Sequence, residues 1–113
     1  MSKTVDIEAM YQHLEDTVRG YNPSANFQQI RQAYEFARDL HGPQLRKDGS
    51  PFVTHPLAVA QIVAEELHLD SESIVAALLH DTIEDTEATH EQLAKLFSPT
   101  IADLVEGVSK LTL

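Results

Sequence analysis

The chain has 113 residues, 42% of them hydrophobic, enough for one globular domain with its own core and too apolar for a disordered segment. It contains no cysteine, so disulfides, thiolate metal ligands and thiolate nucleophiles are excluded. Its 18 acidic residues against 8 basic ones give a formal charge of −10, the wrong sign for a surface that tracks a nucleic-acid backbone.

From the N-terminus, Met1 to Glu15 is polar and acidic, with neither the basic nor the apolar region of a signal peptide. No apolar run approaches the roughly 20 residues that span a bilayer, so a cytoplasmic location is expected. Ile7, Met10, Tyr11, Leu14 and Val18 recur at helical spacing and predict a first amphipathic helix within residues 1–20, ended by Gly20 and Asn22-Pro23. Phe27, Ile30, Tyr34, Ala37 and Leu40 predict a second, stopped by Gly42-Pro43.

Residues 42–54 form one long irregular segment with two glycines and two prolines, a length that in compact domains usually signals function. Thr54 to Pro56 then opens a third helix, with Leu57, Ala60, Val63, Ala64 and Leu67 expected inward. Asp70 or Ser71 caps a fourth, carrying Ile74, Val75, Leu78 and Leu79. Thr89 with Gln92 reads as a capping box for a fifth, with Leu93, Leu96 and Phe97 inward. Ser98-Pro99 opens a sixth with Ile101, Leu104, Val105, Val108 and Leu111. Period-two alternation is nowhere sustained, so the expected fold class is all-α. The sixth pattern reaches Leu113 without a glycine cap, which predicts an N-terminal piece of something longer.

The chemistry concentrates in His55, His80-Asp81 and Glu84-Asp85. Imidazole and carboxylate together suit a divalent transition metal, which can polarise water for attack on phosphorus. His80-Asp81 ends an apolar run, where burying such a pair is costly unless something binds it. His55, at the entrance of another helix, can approach from the facing side, giving three N and O ligands. Glu84 and Asp85 lie four residues beyond His80 and Asp81 and would stay near the ion if helical geometry persisted, placed to orient or deprotonate the attacking water. The competing reading is a locally bonded His-Asp pair followed by a solvated acidic turn. His13, His68 and His90 are expected to face solvent, while His41 borders the long loop and is a candidate for a supporting role. Arg46-Lys47, the one adjacent basic pair, can meet an anionic or planar ligand, although Lys47-Asp48-Gly49 is also ordinary turn chemistry.

Three segments carry a family resemblance: Arg46 to Ala60, Ala76 to Thr86, and Val105 to Leu111. The chain from about Tyr21 onward resembles the N-terminal hydrolase domain of the RelA/SpoT homologue family, an HD-type domain. The resemblance implies an all-helical, HD-domain-like bundle, here its N-terminal portion spanning residues 1–113. It also implies manganese-dependent removal of pyrophosphate from the 3′ position of guanosine tetra- and pentaphosphate, within a longer, bifunctional synthetase/hydrolase of the stringent response. By position it makes His55, His80 and Asp81 metal ligands, Glu84 and Asp85 catalytic, and Arg46 and Lys47 contacts to the guanine base, with residues 42–54 as the nucleotide-side loop. Family members that only synthesise the alarmone have lost these motifs; all are present here. Asp48 stands where serine is common, and the family's fourth ligand, an aspartate from a later helix, would lie beyond Leu113. The alternatives are a catalytically silent nucleotide-binding module, or a fragment inactive by itself that self-associates through its last helix.

Overall fold

The computed structural model describes residues 6–42, 45, 49, 51–80, 82 and 88–111, the last four as backbone. Six helices form among them: α1 (Ile7–Tyr21), α2 (Phe27–His41), α3 (Thr54–Leu67), α4 (Ser71–Leu79), α5 (His90–Leu96) and α6 (Pro99–Leu111). The architecture is all-α, and among the described residues no helix is long and apolar enough to cross a membrane.

Local chemistry sets the helix starts. Asp6, Asn26, Asp70 and Thr89 each accept a hydrogen bond from the backbone N–H three residues on, satisfying donors that the helix itself leaves open. Ser98 does the same for the Ile101 N–H at 3.0 Å. The α3 start has no side-chain cap; there Thr54 bonds back to the Pro51 carbonyl through both its N–H (3.1 Å) and its hydroxyl (2.7 Å).

The bundle is organised around α4, which packs against α2, α3 and α6. All six residues from Ile74 to Leu79 are buried, so the helix has no polar face. Helices α1 and α2 are amphipathic and turn Tyr11, Leu14 and Val18, then Ile30, Ala33, Tyr34 and Ala37, into the same core. Two expected inward residues are exposed: Leu67 at 63% and Leu96 at 43%. Each is the last residue of its helix, where the apolar period continues in sequence beyond the packed part of the helix. Gly20 lies inside α1 rather than ending it, and the helix runs on to Tyr21. The Tyr21 hydroxyl donates to the Leu69 carbonyl at 2.7 Å and its ring stacks on His68, fastening α1 to the α3–α4 turn.

A polar seam joins α1 to α2. The Tyr11 and Tyr34 rings stack with centroids 4.5 Å apart. The Glu8 carboxylate accepts from the Tyr34 hydroxyl at 2.7 Å and from Arg31 at 2.9 Å. Those bonds, the tyrosine first, hold the Glu8 carboxyl below its ordinary value of 4.5. Because the folded value is depressed, the stability it contributes is complete above the ordinary value and is lost as pH falls through the folded one. Tyr34→Phe removes the largest cause. The urea midpoint of the variant should therefore fall less steeply than that of the parent chain between about pH 6 and about pH 3; equal slopes would refute this role for Glu8.

Candidate metal centre

His55 and His80 come from different helices and meet. His55 lies in the first turn of α3, with its N–H bonded to the Phe52 carbonyl at 3.1 Å. His80 is the residue immediately after α4, with α-helical φ and ψ of −59° and −29°. Their ring centroids are 5.2 Å apart and the planes are tilted by 59°. An imidazole nitrogen about 2.1 Å from an ion puts its ring centroid about 3.2 Å away, so two rings on one ion lie roughly 4.5–5.5 Å apart. The observed spacing fits.

The His80 ring is held in place by the backbone. It is only 4% exposed, and Nδ1 sits 2.6 Å from the Ala77 carbonyl oxygen. A carbonyl can only accept, so Nδ1 carries the hydrogen and the lone pair of the neutral ring is on Nε2. A backbone carbonyl behind one nitrogen is a usual way of orienting a histidine that ligates through the other. Thr82, fully buried, donates its hydroxyl to the carbonyl of Leu79, the last residue of α4, at 2.7 Å. The sequence reading passed over Thr82; its signal was a threonine three residues beyond a helix-terminal carbonyl, a common local bond.

Of the other expected site residues, Asp81, Glu84, Asp85, Arg46 and Lys47 lie outside the described residues. Among the described residues no group of three or more His, Cys, Asp or Glu is arranged to hold a metal; the described part of the constellation is its two imidazoles. Helix α4 ends at Leu79 and Thr82 is again helical; the spacing expected from His80 to Glu84 falls on residues outside those described.

An apolar recess of about 200 Å³ opens beside His80, between Val59 and Val63 of α3, Ala76 and Ala77 of α4, and Leu104 of α6. A larger, open hollow of about 560 Å³, lined by Glu15, Phe27, Arg31 and Glu35 among others, contains none of the expected site residues. The remaining histidines are accounted for on the surface or in the core. His13 is exposed beside Glu65 at 3.5 Å, and His68 is exposed against Tyr21. His90, expected in solvent, is half-buried and bonds Asp103 of α6 at 2.8 Å. His41 is buried, 2% exposed.

Residues 33–113 match the family model of the HD domain. Over 102 residues the chain is 49% identical to the bifunctional (p)ppGpp synthase/hydrolase SpoT of Escherichia coli K12, covering 90% of this chain and 14% of that protein. It is 46% identical over 111 residues to the guanosine-3′,5′-bis(diphosphate) 3′-pyrophosphohydrolase of Aquifex aeolicus, covering 98% of this chain and 15% of that protein. With a GTP pyrophosphokinase of Myxococcus xanthus it shares 51% over 96 residues, 85% of this chain and 12% of the relative. The chain thus spans about one seventh of the length of the first two relatives. A match over most of its length, an all-α bundle and a paired histidine centre lead to one conclusion: the chain belongs to the HD domain family.

Proposed function

We propose that the chain forms the metal-binding side of a centre that hydrolyses the 3′-pyrophosphate of guanosine tetra- and pentaphosphate, within a longer, bifunctional synthetase/hydrolase acting in the cytoplasm. The observation that carries this reading is the approach of the His55 and His80 rings from two helices, with His80 Nδ1 held by the Ala77 carbonyl. His55, His80 and Asp81 would hold a divalent ion, manganese in this proposal. When bound, the ion supplies Lewis-acid polarisation of a phosphoryl oxygen and lowers the pKa of water.

The rest falls to side chains. Glu84 and Asp85 take a proton from the attacking water as its oxygen bonds to the 3′ phosphorus. The bond between that phosphorus and the ribose 3′ oxygen breaks, and the 3′ oxygen receives a proton as pyrophosphate leaves. Arg46 and Lys47 hold the guanine base, the arginine by stacking its flat guanidinium. Copies of the isolated chain would associate through the α6 face that includes Leu104, 38% exposed.

The test is pyrophosphate release from guanosine tetraphosphate by the longer protein with manganese. Turnover is expected, and Glu84→Gln with Asp85→Asn should reduce it at least about 100-fold. Substrate binding without turnover in the unaltered protein would favour the silent nucleotide-binding module instead.

A further inference from the structure

Two histidines are buried among the described residues, and the proposed chemistry uses only His80. His41 is the other. Burying an imidazole carries a desolvation cost that an aliphatic residue would avoid, and its position gives that cost a purpose. His41 is the last residue of α2, and Gly42 follows with φ 50° and ψ −127°, a conformation that favours glycine. Nine residues after Gly42, Pro51 bridges to Leu45. Next to Pro51, the Phe52 ring lies on the His41 ring, with centroids 4.5 Å apart and planes within 29°. The end of α2 is thereby clasped to the residues that lead into α3.

The clasp sits one hydrogen bond from the metal centre. The Phe52 carbonyl accepts from the His55 N–H at 3.1 Å, and the Pro51 carbonyl accepts from Thr54. With no side-chain cap at the α3 start, these bonds and the buried Val53 set where the first turn of α3 begins. The first turn in turn sets where the His55 ring points.

We propose that His41 is a positioning residue: through its stack on Phe52 it ties the end of α2 to the start of α3 and holds the His55 ring beside His80. The inference rests on the proposed metal centre for its functional meaning, though not for its geometry. A flat ring is what the contact requires, so phenylalanine should substitute for histidine and alanine should not.

The test compares His41→Ala and His41→Phe in the 113-residue chain, using imidazole ¹H–¹⁵N spectra without metal and then manganese titration. In His41→Ala the His55 signals should shift and broaden while those of His13 and His90 stay in place. Manganese affinity should fall about 10–100-fold, the usual effect of losing a residue that supports a ligand. His41→Phe should restore both. Should His41→Ala fail to fold, Phe52→Leu removes the flat face from the other side and should give the same His55 and affinity changes. Unchanged His55 signals in the folded alanine or leucine variant, or failure of His41→Phe to restore them, would overturn the proposal. If the unaltered chain binds no divalent ion, the metal reading fails, while the His55 signals still decide the clasp.

Discussion

Replacing His55 by alanine should abolish the thermal stabilisation that manganese gives this chain. An ion that binds only the folded state at 100 times its dissociation constant adds about 2.7 kcal/mol. In a domain of this size that raises the melting temperature by roughly 10 °C or more. Removing one of the proposed ligands should leave almost none of this shift at the same manganese concentration. His55 is the cleaner position, being half-buried in the first turn of a helix whose core residues lie elsewhere. His80→Ala should lose the shift as well, but also some metal-free stability, because its ring is buried and bonded to Ala77. Melting curves with and without manganese decide it; a retained shift in both variants would place any bound ion elsewhere.

The second large effect concerns the frame that holds the centre. Leu79 is fully buried in the helix that touches α2, α3 and α6, and it directly precedes His80. Leu79→Ala removes its apolar contacts and leaves a cavity where α4 cannot collapse inward, since its neighbours on all sides belong to one core. The expected cost is about 3–5 kcal/mol, a large part of the roughly 5–15 kcal/mol that holds a typical domain folded. Urea unfolding would report it as a lower midpoint at nearly unchanged slope. A loss below about 1 kcal/mol would contradict the central role given to α4.

The sequence made the helices legible because most of them are amphipathic. Tyr11, Leu14 and Val18 are buried at the spacing that predicted them, and Asp70 and Thr89 cap where expected. The fourth helix also forms where Asp70, Ile74, Val75, Leu78 and Leu79 predicted it, with Ala76 and Ala77 buried as well; a helix surrounded by others shows an apolar run rather than a stripe. It misplaced Leu67 and Leu96 because a repeat does not say where the neighbouring helix ends. The site was legible as residue types, and its two imidazoles do come together. The ring contact between His41 and Phe52 was not, because the sequence between the two residues carries no periodicity that would bring them together. Thr82 escaped for a related reason: its bond to Leu79 depends on where α4 stops.

The central claim is that His55 and His80 are two ligands of one ion, and paramagnetic broadening tests it most directly. Substoichiometric manganese added to the chain, followed in imidazole ¹H–¹⁵N spectra, should broaden the His55 and His80 signals together and first, with those of His13, His68 and His90 persisting. Broadening that begins at the surface histidines, or that reaches only one member of the pair, would contradict a shared metal centre.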